Sequence, residues 1–413
     1  MEQITNTDKA RLRELAARVR AIAESSAMAE LKALWMKHNM CGGVRPMITV
    51  EIGTFAKDVL PPLLKCEGDF ARRLEWQLLA RLVNNEVFKD DIVVEPFFAV
   101  APYYSIKPFG LDVTVERSDK NDLGHHFKEQ IIDLERDFHL LGESSLNTSR
   151  AHADDSAVAI NELFGDILPA RVYGTSLVAS LTQNIVHVMS MENMFVSMYD
   201  YPELFHEMMR RLSDDYLRLY DALEQEGKLL PTTGSESVCQ GAYAFNTVLP
   251  SALPASGKLK TSDVVGYMDS QETVGISKEM FSEFIFPYYK KVAERFGLLS
   301  YGCCEPVSVF WDDIGALKNL QRVSISPWCD EALMGEALKG SGIVYHRKPS
   351  PNFLGVGSAL DEDALRKHIA QTVKRAKGCE LEFTQRDVYT VGGDMQKVAR
   401  YVQIIREETE CNA

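Results

Sequence analysis

Two adjacent cysteines and a glutamate, Cys303, Cys304 and Glu305, follow the apolar run LLSYG at the end of a predicted strand. Thiolates and carboxylates bind zinc, a cysteine beside a base can act as a nucleophile, and cysteines also serve as small packing residues. Because residues alternate between the faces of a strand, Tyr301 and Cys303 share one face. If that face lines the interior, Cys303 is the better ligand and Cys304 a packing residue. The residues alone leave the three roles open.

Strand-like and helix-like segments alternate along most of the chain. Such alternation implies βαβ units with parallel pairing, and about eight units in one chain favour a TIM-type barrel. We therefore predict an α/β fold, a TIM (β/α)8 barrel with an N-terminal helical extension, and keep a doubly wound open sheet as the alternative. The predicted strands are residues 45–52, 92–102, 170–178, 229–233, 263–272, 298–304, 322–327, 342–349 and 379–387.

The domain organisation is predicted from the same patterns. Residues 1–40 form the helical extension, because apolar residues between Leu12 and Ile22 recur at spacings of three and four. Residues 41–413 form a single barrel domain, with a polar excursion at about 103–150. The 413 residues, 46% of them hydrophobic, are ample for a large core.

Charge and cysteine usage narrow the class of protein. The formal net charge is −14 and no block of lysine and arginine occurs, which argues against nucleic-acid binding. No leader-like segment and no run of 18 apolar residues occurs, so we expect no membrane partner. The eight cysteines are scattered, which fits a reducing, cytoplasmic location.

Polar side chains collect at the predicted strand ends, where barrel enzymes hold their catalytic residues. The alternative is that strand ends are polar simply because the loops that follow them are exposed to solvent. We predict acid–base or hydrogen-bonding roles in catalysis for Glu272, Asp387 and Tyr389. The predicted substrate contacts are Glu51, Gln271, Tyr301, Trp328 and Arg347.

Three segments carry a resemblance to a known family. They are DVVGYMDSQETVGISKEMFSEFIFPYYKKVAERFGLLSYGCCEPV (263–307), RVSISPWCD (322–330) and HRKPSP (346–351). With them the chain resembles the uroporphyrinogen decarboxylase superfamily, especially its corrinoid-linked methyltransferase branch, over most of residues 30–408. The resemblance implies a TIM barrel, in agreement with the alternation of strands and helices.

The metal prediction comes from this resemblance. Thiol-methylating members of the branch hold zinc with a His-x-Cys motif on the matching strand and with a later cysteine. Here Tyr301 stands at the histidine position and Cys303 keeps the cysteine position, while the later region, RKPSP, has no cysteine. We therefore predict zinc in an altered site, held by Cys303 and completed by Glu305 and Cys239, with Glu272 as a further candidate.

The resemblance also implies an activity. It is the transfer of a methyl group between a small substrate (a methoxylated aromatic, a methylamine or a thiol) and a corrinoid. We expect the corrinoid to come on a separate carrier protein; the one Asp-x-His-x-x-Gly match, at Asp137, His139 and Gly142, lies in the polar excursion. A porphyrinogen decarboxylase is the first alternative, disfavoured because RPMITVEIGTFAKD (45–58) has no arginine after the strand. The second alternative is a non-catalytic protein that binds a corrinoid or a tetrapyrrole. The sequence leaves open whether the chain forms a homodimer.

Overall fold

The computed structural model describes residues 4–117 and 125–411. Residues 1–3 of the predicted helical extension, 118–124 of the predicted excursion and 412–413 of the predicted barrel domain lie outside the described residues. The strands are β1 (Met47–Val50), β2 (Phe98–Val100), β3 (Ser105–Lys107), β4 (Val115–Arg117), β5 (His125–Phe127), β6 (Ser145–Asn147), β7 (Ala170–Val172), β8 (Leu177–Ala179), β9 (Val265–Met268), β10 (Leu298–Tyr301), β11 (Leu320–Ile325), β12 (Val344–Arg347) and β13 (Glu380–Gln385). The helices are α1 (Asn6–Ala23), α2 (Ser26–Asn39), α3 (Ala56–Val59), α4 (Asp69–Val83), α5 (Leu134–Asp137), α6 (Ala151–Phe164), α7 (Leu181–Val186), α8 (Met191–Asp200), α9 (Pro202–Glu226), α10 (Lys278–Met280), α11 (Phe286–Ala293), α12 (Trp311–Ile314), α13 (Glu331–Leu338), α14 (Asn352–Gly355), α15 (Glu362–Arg375) and α16 (Met395–Cys411).

A seven-stranded parallel sheet organises the chain. Its order is β1-β13-β12-β11-β10-β9-β8, and β2 pairs in parallel with β7. The Asp91 amide donates to the carbonyl oxygen of Ile48 at 2.7 Å, which brings the segment before β2 beside β1. The α/β class and the parallel pairing are confirmed, and the arrangement is consistent with a TIM-like barrel, although the ladders within the described residues do not close into a ring.

Two predicted strands differ in the structure. Residues 229–233 form no strand, because Pro231 has no amide hydrogen and the Thr232 hydroxyl, rather than a ladder partner, accepts from the Val265 amide at 2.8 Å. The predicted strand 170–178 is split into β7 and β8 around Gly174. A side chain at Gly174 would meet the carbonyl oxygen of Pro231 at 3.0 Å, so the chain crosses itself closely there.

The N-terminal helices pack on the sheet and its helices. Helix α1 contacts α4 and α6, and Arg13 forms an ion pair with Asp166 after α6. His38 of α2 contacts the Glu382 carboxylate at 2.9 Å, and that carboxylate also pairs with Arg322 of β11 at 2.6 Å. All three side chains are buried, so a polar network joins α2 to the inner face of the sheet.

The excursion at 103–150 contains two antiparallel strand pairs, β3 with β6 and β4 with β5, and the short helix α5. Within residues 4–117 and 125–411, no helix is both long and apolar enough to cross a membrane.

Candidate active site

The carboxyl ends of four parallel strands bring distant polar residues together. Asp269 follows β9 directly, Lys348 follows β12 and Arg386 follows β13, while Cys303 lies two residues beyond β10. Each belongs to a sheet whose strands run the same way, so these ends meet at one edge. We call the group formed by Gln240, Tyr267, Asp269, Cys303, Lys348 and Arg386 the strand-end cluster.

Cys303 lies at the centre of this cluster. Its sulfur accepts a hydrogen bond from Nε2 of Gln240 at 3.3 Å and lies 3.5 Å from the sulfur of Cys304. The hydrogen bond from the Cys304 thiol, together with the charges of Lys348 and Arg386, lowers the pKa of Cys303 despite its burial. Cys303 is thus the more acidic thiol of the pair and forms a thiolate more readily than Cys304.

The loop that delivers Gln240 has an unusual backbone. Cys239, Gln240 and Gly241 all have positive φ angles, at 65°, 58° and 77°. Two consecutive non-glycine residues in the left-handed region are uncommon, and such strain concentrates at functional sites. The left-handed backbone directs the Gln240 side chain toward Cys303, Tyr267 and Lys348. Its amide nitrogen donates to Cys303 and to the Tyr267 hydroxyl, and its oxygen accepts from Lys348.

Asp269 is the buried carboxyl group of the cluster, with 5% of its surface exposed. One oxygen accepts from the Tyr267 hydroxyl at 3.0 Å. The other oxygen, Oδ1, is buried without a hydrogen bond of normal geometry, although Ser180 lies close to the carboxyl group. Burial raises the pKa of Asp269, against the opposing effects of Ser180 and Tyr267. Asp269 is therefore suited to carry a proton.

Arg386 connects the cluster to two predicted residues. Its Nε lies 3.4 Å from the Glu51 carboxylate and 3.3 Å from that of Asp387. Asp387 has a φ of 57° and lies 3.9 Å from the sulfur of Cys304. The Nη1 atom of Arg386 is buried without a partner, so this guanidinium has a free donor for an anionic group.

Glu272, a predicted catalytic residue, lies beside the cluster in a pocket of hydroxyl groups. The Thr182 hydroxyl donates to it at 2.8 Å, and Tyr289 contacts the same hydroxyl at 2.8 Å. Burial raises the pKa of Glu272 to about 7. At neutral pH it exchanges protons readily, which is the property that general acid–base catalysis requires.

The expected strand alternation at Tyr301 and Cys303 is wrong. The Tyr301 ring packs edge-on against Tyr289 of α11, toward the helices, and its hydroxyl contacts that of Ser270 at 2.8 Å. Cys303 instead faces the cluster. Gly302 explains the change, because its φ of +97° ends the extended backbone on which period-two alternation depends. Tyr301 is fully buried, and this arrangement does not fit its predicted substrate contact.

The predicted zinc ligands do not fit a metal ion in this arrangement. Both oxygens of Glu305 accept backbone hydrogen bonds, from Ser270 and from Cys303, at 2.8 Å each. Burial raises the pKa of the Cys239 thiol to about 11, and its sulfur lies 3.8 Å from the Ser176 hydroxyl oxygen. Among residues 4–117 and 125–411, no three His, Cys, Asp or Glu side chains are arranged to hold a metal. Zinc stays a prediction from the resemblance, and no chemical step below depends on it.

The remaining predicted residues lie at the edge of the site or outside it. Arg347 faces the helices, where it pairs with Glu331 of α13 at 2.9 Å, so it does not fit a substrate contact. Trp328 and Tyr389 follow β11 and β13 and are 68% and 56% exposed. Gln271 is half-buried next to Glu272.

A cavity of about 280 Å³ lies near the strand-end cluster, although none of the six cluster residues lines it. Ser180 lines it and also lies beside Asp269, and Ser176 lines it 3.8 Å from the sulfur of Cys239. Its walls are mixed aromatic and polar and include Tyr103, Tyr104, Gln183, Asn184, Tyr216 and Lys228. The cavity therefore offers space for a small molecule, with Ser180 between it and the Asp269 carboxyl group.

Five members of the cluster were not among the predicted site residues: Gln240, Tyr267, Asp269, Lys348 and Arg386. Three of them are the first residue after a strand, a position that could have singled them out in the sequence. Gln240 lies in an irregular loop, and nothing in its surroundings in the sequence indicates its left-handed backbone.

Comparisons with known proteins support the fold. No family model matches the chain, and no curated protein matches its sequence. A solved structure, a methyltransferase from Methanosarcina mazei, is similar with a TM-score of 0.52 and 13% sequence identity, covering 91% of this chain and 98% of that one. At this identity the similarity shows a common fold.

Proposed function

We propose that this chain is a TIM-barrel methyltransferase that moves a methyl group between a small substrate and a corrinoid held on a separate carrier protein. The observation that carries the proposal is the strand-end cluster around Cys303 and Asp269, at the edge where parallel α/β barrels hold their catalytic residues. The GCCEP and SPW segments, with their resemblance to corrinoid-linked methyltransferases, and the fold shared with a solved methyltransferase support the same class.

The rim of the site suits a docked carrier. Trp328 and Tyr389 expose aromatic surface beyond the ends of β11 and β13, the strands on either side of β12 and Lys348. The corrinoid, when docked, would supply the cobalt nucleophile that takes the methyl group. The chain itself has to bind the substrate and activate its leaving oxygen or nitrogen.

Asp269 supplies the proton that this leaving atom needs. Burial raises the pKa of this carboxyl group, which favours its protonated form, and the Tyr267 hydroxyl donates a hydrogen bond to its Oδ2 atom. As the bond from the methyl carbon to the leaving oxygen or nitrogen breaks, Asp269 donates its proton to that atom. Arg386, with its unpaired Nη1, binds an anionic substituent of the substrate, and the cavity beyond Ser180 offers space for an aromatic ring. These features favour a methoxylated aromatic acid among the three substrate classes.

Methyl transfer to free cob(I)alamin tests the proposal. The purified chain is incubated without oxygen with cob(I)alamin and a methoxylated benzoate, a methylamine or a methylated thiol, and methylcobalamin is followed by absorbance. We expect transfer from the methoxylated benzoate and a loss of about 10²–10⁴-fold in Asp269→Asn. Asp312→Asn, an exposed residue paired with Lys278, is the matched control. Absence of transfer from all three donor classes would refute the proposal.

A further inference from the structure

We propose that Cys303 and Cys304 form a reversible vicinal disulfide when the protein meets a peroxide, which makes the pair an oxidative modification site. Their sulfur atoms lie 3.5 Å apart, and both residues are free thiols. The inference concerns this pair alone and does not require that the chain transfers methyl groups.

The surroundings of the pair favour oxidation at Cys303. Its sulfur accepts from Gln240 at 3.3 Å, and the cations of Lys348 and Arg386 act on it. Oxidation selects thiols with thiolate character and access to solvent. Cys303 is only 5% exposed, whereas Cys304 is partly exposed and lies next to the half-buried Asp387, so a small oxidant such as hydrogen peroxide would approach the pair from the side of Cys304.

The reaction balances with peroxide as the oxidant. The Cys303 thiolate attacks one peroxide oxygen, the O–O bond breaks, and sulfenic acid and hydroxide form. The Cys304 sulfur then attacks the Cys303 sulfur, the S–O bond breaks, and the S–S bond forms. The leaving oxygen departs as water after it takes the Cys304 proton. The two thiols lose two electrons together, and the peroxide gains them.

The same geometry makes the bond easy to reduce. Adjacent Cα atoms lie about 3.8 Å apart across a trans peptide, whereas disulfides usually span about 4.4–6.8 Å. A disulfide between neighbours is therefore strained, and strained disulfides have the more oxidising potentials of labile bonds. Once formed, it removes the thiolate that Gln240 contacts and the thiol that lies beside Asp387.

Peptide mass spectrometry tests the inference directly. The full chain is treated with hydrogen peroxide, free thiols are blocked with iodoacetamide, and trypsin releases residues 296–318, which contain only these two cysteines. We expect this peptide unalkylated and lighter by two hydrogen atoms, and doubly alkylated after dithiothreitol. Loss of alkylation at the exposed Cys41 shows that the oxidant has reacted with the protein.

Two variants complete the test. Cys304→Ser should leave a Cys303 sulfenic acid that dimedone traps, with no internal disulfide. Cys329→Ser, which changes a buried thiol 3.7 Å from the Glu305 carbonyl oxygen, should retain the vicinal disulfide. The inference is overturned if both thiols stay alkylated after Cys41 is oxidised, if either pairs with another cysteine, or if Cys303 passes to sulfinic acid without a disulfide. Because the readout is the peptide mass, these outcomes are independent of any methyl-transfer assay.

Discussion

The Lys348 ammonium donates to the carbonyl oxygen of Cys303 at 3.2 Å, although the two residues lie 45 positions apart in the sequence. Lys348 follows β12 and Cys303 follows β10, with β11 between these strands. Burial lowers the pKa of Lys348, while the Cys303 thiolate opposes that effect. A Lys348 ammonium and a Cys303 thiolate would therefore stabilise each other inside the strand-end cluster, where both side chains are buried.

Removal of the ammonium should make Cys303 less acidic. In Lys348→Met the pKa of Cys303 should rise, because one of the two cations that favour the thiolate is lost. The rate at which iodoacetamide alkylates Cys303 is measured against pH by mass spectrometry of peptide 296–318. Lys278→Met, which removes an exposed lysine paired with Asp312, is the control. An alkylation profile that is the same in all three proteins would contradict the pairing.

Glu305 should act on the backbone and not on a metal. Glu305→Gln replaces one of the two carboxylate oxygens by an amide NH₂ group, whose hydrogens then face a backbone N–H. The free energy of unfolding should therefore fall by about 1–3 kcal/mol. Urea denaturation measures the change, with exposed Glu279→Gln as the control. A variant as stable as the wild type would argue that the two backbone hydrogen bonds contribute little.

Metal analysis of the purified protein tests the zinc prediction separately. Because both Glu305 oxygens accept backbone hydrogen bonds, and because no three His, Cys, Asp or Glu side chains among residues 4–117 and 125–411 are arranged to hold a metal, we expect no stoichiometric zinc. We also expect no change in metal content between wild type and Cys303→Ser. Inductively coupled plasma mass spectrometry gives the content. Near-stoichiometric zinc that disappears in Cys303→Ser would restore the metal site predicted from the resemblance.

The buried network at Glu382 should make stability depend on pH. Burial by itself raises the pKa of Glu382, but the charge of Arg322, with those of the two neighbouring histidines, outweighs burial and holds the pKa well below its ordinary value. The folded-state pKa is depressed, so this stabilisation is present above the unfolded-state pKa of about 4.3 and is lost as the pH falls through the folded-state value.

Glu382→Gln tests that network. At neutral pH it leaves the Arg322 guanidinium without its charge partner and should destabilise the fold by about 3–5 kcal/mol. Urea denaturation at a series of acidic pH values should show that the difference in the free energy of unfolding between wild type and variant becomes smaller as the pH falls. A difference in the free energy of unfolding that stays constant with pH would exclude the charge interaction as its cause.

The predicted acid–base role of Glu272, if it holds, should appear in the pH profile of methyl transfer. With a pKa of about 7, Glu272 loses its proton as the pH rises through neutrality, so activity that needs the protonated form should fall there. Thr182→Val removes the hydrogen bond that lowers this pKa, and the falling limb should move to higher pH. A limb that stays in place would assign the titration to another group.

The alternation of segments predicted the class of fold because parallel pairing follows from local patterns of burial. Helix-forming and strand-forming stretches can be read one at a time, and most of the predicted strands contain an observed strand. The prediction at 229–233 was wrong because Thr232 pairs through its side chain with Val265, a contact that no local pattern shows. The prediction at Tyr301 was wrong because one glycine, Gly302, leaves the extended conformation.

The sequence by itself determined that an α/β sheet would carry Cys303 and Glu272 near strand ends, since strand position is a local property. Only the tertiary structure decided what those residues meet. It showed that Glu305 turns to backbone amides, that Arg347 turns to the helices, and that Gln240 and Lys348 converge on Cys303. Such contacts depend on the register of distant strands and on a left-handed loop, and these are fixed by the packing of the whole chain.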